Sequence, residues 1–190
     1  VEIRPLIPAD LDLLGDIDST VESTRYLHVE QTGSGVGRGW RVEERSLRER
    51  RIASLPLDEE TLFTARQLAS GADDGVAIVA DYESQLIGLL LAQPDPVRKV
   101  LRLLDVRVDF DFRRQGVGTG LAYMALQVAR DGEMRAVCAE TLSDNVVAAA
   151  FLGKLGFGLA GVDTLRHSNH DLVKERASLL WYHTLNEVTP

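Results

Sequence analysis

The sequence predicts an α/β (α+β) fold: a mixed central sheet of about six to seven strands with flanking helices, in a single domain over residues 1–190. Three observations predict it. After a strand-rich first half, the order runs strand–helix–strand–helix–strand–strand, which requires both parallel and antiparallel neighbours. A glycine-rich turn joins a long strand pattern at 99–110 to a strong helix pattern at 117–131. Hydrophobic residues make up 45% of the 190, enough for a real core, and no repeat or low-complexity tract divides them.

Each element has its own signal. Residues 1–7 read as a short strand stopped by Pro8. Leu11, Leu14 and Ile17 recur at i, i+3 and i+6, a helical stripe over 8–17. Segments 25–31 and 40–45 read as polar strands around a hairpin tip with glycines at 33, 35, 37 and 39. The charge run 43–51 reads as a solvated face. Asp58 opens a helix through Ala69, and Gly71 ends it. Residues 76–82 and 85–93 read as a hairpin of buried strands, after which Pro94 and Pro96 break the chain. A long strand is expected at 99–110, a helix at 117–131 closed by Gly132, and a strand at 136–141. A helix at 145–155 closed by Gly156, a strand at 157–163, a polar loop at 164–176 and a last strand at 177–185 complete the chain.

Charge excludes one large class of functions. Lys and Arg number 21 against 29 Asp and Glu, a formal charge of −8. A general nucleic-acid binder needs a basic surface, so no nucleic-acid partner is expected, and a cationic or neutral substrate is favoured. The single cysteine, Cys138, rules out an internal disulfide and a multi-cysteine zinc site, and mid-strand it reads as a buried structural thiol. His167 and His170 lie three apart without a third ligand nearby, and His28 and His183 fall on strands, so no metal is expected. No apolar run approaches the ~20 residues of a membrane span, and the first residues lack a basic-then-apolar signal. The expectation is a soluble cytoplasmic protein with no membrane partner; a homodimer is left open.

The first chemical signal is Arg113-Arg114-Gln115-Gly116-Val117-Gly118-Thr119-Gly120, placed between strand and helix. Glycines let backbone N–H groups approach an anion, and a helix start adds unpaired donors and partial positive charge. A P-loop would need Gly-Lys-Ser/Thr, and a dinucleotide fingerprint a third glycine where Leu121 stands. The spacing that fits is Arg/Gln-x-x-Gly-x-Gly. A second stretch follows one strand later: Asn145, Ala148, then a helix ending in Gly156-Phe157. With both stretches in order, the chain resembles the GCN5-related N-acetyltransferase (GNAT) superfamily, most strongly over 75–185. Shorter segments, 159–164 and the polar strand pair at 25–31 and 40–45, resemble the streptothricin acetyltransferases and suggest a small cationic amine as acceptor.

The resemblance implies two splayed parallel central strands, 99–110 and 136–141, with acetyl-CoA lying between them as co-substrate. Its pyrophosphate would meet the backbone of Arg114, Gln115, Gly116, Val117, Gly118 and Thr119, with Arg113 opening the cofactor-binding motif. Its pantetheine would pair like an extra strand with the backbone near Val106 and Val108, and Asn145 belongs to the second motif. The implied reaction is direct acetyl transfer to a primary amine, without a covalent enzyme intermediate.

Such a transfer needs a base for the ammonium proton. Along 99–110, Leu104, Val106, Val108 and Phe110 alternate onto one face, and Leu101, Leu103, Asp105 and Arg107 onto the other. Asp105 breaks an apolar pattern just before the turn, and Glu140 does so at the end of the neighbouring strand, where related acetyltransferases often carry a glutamate. The two rank nearly level as base; an Asp105–Arg107 ion pair is the bland alternative for the first. One departure stands out. Where the superfamily often places a tyrosine as general acid, four residues before the Gly of Gly-Phe, this chain has Leu152. That leaves two alternatives beside the enzyme acting on a small amine: an acyl-CoA-binding sensor with little turnover, or a protein N-acetyltransferase. The acceptor pocket is expected to be shaped by 26–45 and 163–176.

Overall fold

The computed structural model describes residues 1–167 and 176–185. Most of the loop expected at 164–176, with His170, lies outside them. The elements in order are β1 (Glu2–Pro5), β2 (Val21–Thr32), β3 (Gly39–Ala53), α1 (Glu59–Ser70), β4 (Val76–Tyr82), β5 (Gln85–Asp95), β6 (Val100–Val108), α2 (Val117–Asp131), β7 (Ala136–Leu142), α3 (Val146–Lys154), β8 (Gly158–Asp163) and β9 (Ser178–Thr184). Seven strands form one sheet in the order β1-β4-β5-β6-β7-β9-β8, and β2 pairs with β3. The β6–β7 pair is parallel and the β1–β4, β4–β5, β5–β6 and β8–β9 pairs antiparallel, the mixed sheet that the element order predicts.

The chain divides into two compact units. The first comprises Val1–Thr20, Ser54–Ala139 and His183–Pro190. Its core has two faces because both sides of β5 are covered. Leu89 and Leu91 pack with Leu6, Leu14, Ile17, Ala65, Val79 and Leu86 in one cluster. Gly88, of the opposite parity, faces α2: a Cβ there would stand 3.0 Å from Leu121 Cδ1. The 8–17 stretch is a 3-10 helix, Pro8–Asp16, in which an i, i+3, i+6 stripe stacks in line because three residues make a turn. Asp58 caps α1 by accepting from the Thr61 N–H at 2.7 Å, and Gly71 ends it in the left-handed conformation at φ 70°. Such a cap contributes about 0.5–2 kcal/mol.

Two expectations change in this unit. Strand β5 continues through Pro94, which stands opposite Leu101, so the break begins only after Asp95. More consequential is β6. Leu91 pairs with Asp105 but its neighbour Ala92 pairs with Leu103, so Leu104 is the extra residue of a β-bulge. Cross-strand partners share a face. Asp105 and Arg107 therefore lie with Leu91 and Leu89, on the side of α1 and the 3-10 helix. Leu101 and Leu103 lie on the other side with Val106 and Val108. The expected common face of Leu101, Leu103, Asp105 and Arg107 is broken by the bulge.

The second unit comprises Val21–Ala53 and Glu140–Tyr182. Strands β2 and β3 are 12 and 15 residues long, well beyond the segments expected at 25–31 and 40–45. Cross-strand ion pairs, Arg25 with Glu44 and Arg50 with Glu22, support the polar length that apolar alternation does not mark. The 43–51 run lies in β3 and is mostly exposed, a solvated face as read. Asp144 holds this unit together: its carboxylate receives Arg51 and, at 2.6 Å, Arg176.

Candidate functional site

In the first unit the parallel pairing of β6 with β7 is short. It runs from Val100↔Ala136 through Leu101↔Val137 to Arg102↔Cys138. Beyond that, Asp105, Val106, Arg107 and Val108 have registered partners only on β5 among the described residues. Val106 and Val108 thus belong to the half of β6 released from its parallel neighbour.

The turn follows directly. Asp109 is buried and caps the short 3-10 helix Phe110–Phe112 by accepting from the Asp111 N–H at 3.1 Å. Arg114 and Gly116 both take left-handed backbone conformations, φ 62° and 88°. For Arg114 that costs roughly 1–2 kcal/mol; for Gly116 it is free, and glycine is the residue that fits. The helical ladder of α2 begins with the Gly120 N–H donating to the Gly116 carbonyl at 2.9 Å. The N–H groups of Val117, Gly118 and Thr119 therefore precede the ladder, at the positive end of a 15-residue helix. Gly120 allows α2 to pass close to β1, since a Cβ there would stand 2.8 Å from Ile3 Cδ1. Arg114, Gln115 and Gly116 are exposed, so this rim can receive an anion.

The Arg113 side chain turns the other way. Its Nε donates to the Val108 carbonyl at 2.9 Å, and its terminal nitrogens to those of Thr20 at 2.5 Å and Asp18 at 3.4 Å. Burial pushes its pKa down.

The two candidate bases differ. Asp105, in the first unit, is held by both oxygens: Arg107 Nε donates to Oδ1 at 2.7 Å and a terminal nitrogen to Oδ2 at 2.5 Å. Both side chains are largely buried, at 16% and 12% exposure. Arg107 also donates to the Leu55 carbonyl at 3.0 Å. The expected Asp105–Arg107 pair is thus present. Among the described residues, Glu140, in the second unit, is held by one oxygen. The Ser178 hydroxyl donates to Oε1 at 2.5 Å, and Arg166 Nε reaches the same atom at 2.8 Å. Ser178 is fully buried and also lies 3.0 Å from His167 Nε2. Having one proton, given to Glu140, it accepts from His167, which fixes the Nε2–H form of that ring. Sequence reasoning missed Ser178, Arg166 and His167 as neighbours of Glu140, and nothing in their spacing marks them.

Of the remaining candidates, Asn145 caps α3, its side-chain carbonyl accepting from the Ala148 N–H at 3.1 Å. Leu152 is buried. Cys138 is half-buried, and desolvation pushes its thiol up, which fits a structural role. Among the described residues no group of three or more His, Cys, Asp and Glu is placed to hold a metal.

A cavity of about 500 Å³ opens in the first unit. Leu11, Leu14, Ile17, Leu57 and Leu62 give it an apolar lining, and Asp12, Asp18, Ser19 and Arg107 its polar groups. It lies on the α1 side of β6, the side to which the bulge turns Arg107. Among the described residues none from 26–45 or 163–176, where acceptor contacts are expected, lines it.

A model of the acetyltransferase (GNAT) family matches residues 41–157. Streptothricin acetyltransferase A of Bacillus subtilis (strain 168) is 34% identical over 79 residues, 42% of this chain and 45% of that protein; the match spans less than half of the relative's length. Among solved structures, a protein of Bacillus anthracis str. Ames described as a streptothricin acetyltransferase, in complex with acetyl coenzyme A, has a TM-score of 0.76 at 24% identity, over 96% of this chain and 98% of its own. Nourseothricin acetyltransferase has a TM-score of 0.81 at 20% identity, over 97% and 98%. At these identities the structural likeness is one of fold.

Proposed function

This chain belongs to the acetyltransferase (GNAT) family, and from that premise we propose that it transfers acetyl from acetyl-CoA to a primary amine of a small cationic molecule, with residues 1–190 acting as one acetyltransferase domain. The observation that carries the reading is the exposed turn at Arg114–Gly116, opening α2 directly after the released half of β6. Left-handed Arg114 and Gly116 and the N–H groups of Val117, Gly118 and Thr119 ahead of the helical ladder suit a pyrophosphate. The backbone of Val106 and Val108 suits the pantetheine arm. The arrangement fits the co-substrate.

Acetyl-CoA supplies the acetyl group as a thioester, whose carbon the neutral amine attacks with the coenzyme thiolate as leaving group. The chain's own task is to remove the ammonium proton. Glu140 is assigned that role, directly or through one water, because Ser178 and Arg166 both engage Oε1 and neither engages Oε2. Asp105 has both oxygens engaged by Arg107. The two aspartates in the cavity lining, Asp12 and Asp18 against the one arginine, and the net charge of −8 support a cationic acceptor. The similar proteins named for streptothricin and nourseothricin make those compounds the first acceptors to try.

A second reading, an acyl-CoA sensor, is favoured by Leu152, which puts a buried hydrocarbon where the family often has a proton donor. A thiol-release assay over a panel of primary amines, with acetyl-CoA binding measured in parallel by calorimetry, separates the two. Enzyme predicts acetylated amine and stoichiometric thiol. Tight acetyl-CoA binding without thiol release from any amine overturns the enzyme reading in favour of the sensor.

A further inference from the structure

We propose that Arg113 is a positioning residue for the acceptor: its guanidinium fastens the Asp18–Thr20 segment, whose Asp18 and Ser19 line the cavity, to the end of β6. This rests on the reading of the cavity as the acceptor side. The motif that contains Arg113 suggests a phosphate ligand, but the side chain is committed inward. Three of its N–H directions end on backbone carbonyls from two distant segments, Val108 at 2.9 Å on one side and Thr20 at 2.5 Å with Asp18 at 3.4 Å on the other. Its Cζ lies 5.3 Å from the centroid of the Phe110 ring. Among the described residues Arg113 forms no ion pair. A half-buried guanidinium without a carboxylate partner is costly to desolvate, and carbonyls from both segments must stay in place to compensate it.

The same two segments are joined twice more. The Phe110 N–H donates to the Asp18 carbonyl at 3.0 Å, and the Asp18 N–H donates to Asp109 Oδ2 at 2.9 Å. Asp18 and Ser19 line the cavity, as does Arg107 from β6. The segment 109–113 that leads into the glycine turn therefore also sets one wall of the cavity. Only a planar fork can reach carbonyls on both sides at once. Lysine keeps the charge but offers a single nitrogen.

Arg113→Lys is the test, read in three ways on the full chain: KM for the amine acceptor, Kd for acetyl-CoA by calorimetry, and hydrogen exchange at the Phe110 and Asp18 amides. The expected result is faster exchange at both amides and an acceptor KM raised about tenfold, with the acetyl-CoA Kd within about twofold. Weaker acetyl-CoA binding with unchanged exchange would make the guanidinium a phosphate ligand and overturn the proposal. Faster exchange with an unchanged acceptor KM would overturn it differently, by removing the cavity from the acceptor path while acetyl transfer itself stands. A wild-type protein without transferase activity fails the functional reading alone, and the exchange measurement still reports on the fastening. If Arg113→Lys does not fold, Phe110→Leu removes the ring under the guanidinium and keeps the hydrogen bonds. It should shift exchange and KM in the same directions by less, and no shift in either overturns the proposal.

Discussion

Asp105 and Glu140 look alike in the sequence, each a carboxylate interrupting an apolar strand near its C-terminal end, but they end in different surroundings. Asp105 finds Arg107 two residues on, on the same side of β6, and both of its oxygens are taken at 2.7 and 2.5 Å. Among the described residues Glu140 finds no local partner. Ser178 and Arg166, far along the chain, meet it at one oxygen. A carboxylate satisfied within its own strand is a structural ion pair. One held on a single oxygen from a distance is oriented, with the other oxygen still able to accept a proton. The difference turns a pair of nearly equal candidates into an unequal one.

The largest effect should come from removing the oriented carboxylate. Glu140→Gln keeps shape and hydrogen bonding but cannot take a proton, and kcat should fall by about 10²–10⁴-fold. Single-turnover acetyl transfer checks this, with calorimetry showing acetyl-CoA binding retained. Asp105→Asn should act mainly on stability. It leaves a largely buried guanidinium with a neutral partner, a loss of roughly 1.5–3 kcal/mol in urea unfolding. Its effect on kcat should be clearly smaller than that of Glu140→Gln; the reverse order would exchange the two roles. Gly116→Val tests whether binding is separate from either carboxylate. A β-branched residue at φ 88° is strained even in open space, and acetyl-CoA affinity should drop about tenfold with the acid limb of the pH profile unmoved.

The smallest effect is a control for the paired carboxylate. Asp10 is gripped by Arg4 at 2.7 and 2.9 Å, the same two-oxygen arrangement as Asp105. The Arg4 guanidinium holds its pKa below the usual carboxylate range. Its contribution to stability is therefore complete above the unfolded value of about 3.9 and is lost as pH falls through the lower folded value. Asp10→Asn should flatten the acid end of the stability–pH curve and leave turnover alone, as measured by urea midpoints across that range.

The comparison also shows where the sequence was readable. Helix α2 was bounded correctly at both ends because a glycine turn starts it and Gly132 stops it. The hairpin β4–β5 was legible from its apolar runs. The β2–β3 pair was underestimated because its length rests on cross-strand charges, which have no apolar signature. The bulge at Leu104 could not be read at all: nothing in Leu103-Leu104-Asp105 says that one residue lacks a partner, yet it decides which face Asp105 and Arg107 occupy. The Asp105–Arg107 pair, two residues apart, was foreseen as an alternative. The Glu140–Ser178 bond, 38 residues apart, was not. Local pairing is written in local sequence, whereas long-range pairing is set by topology.

The most direct test of the central claim is the pH dependence of kcat/KM for a primary amine acceptor in the wild type, Glu140→Gln and Asp105→Asn. The wild type and Asp105→Asn should share an acid limb on which activity falls as a carboxylate protonates, and the residual activity of Glu140→Gln should lack it. An acid limb that persists in Glu140→Gln and disappears in Asp105→Asn would contradict the account and move the base to β6.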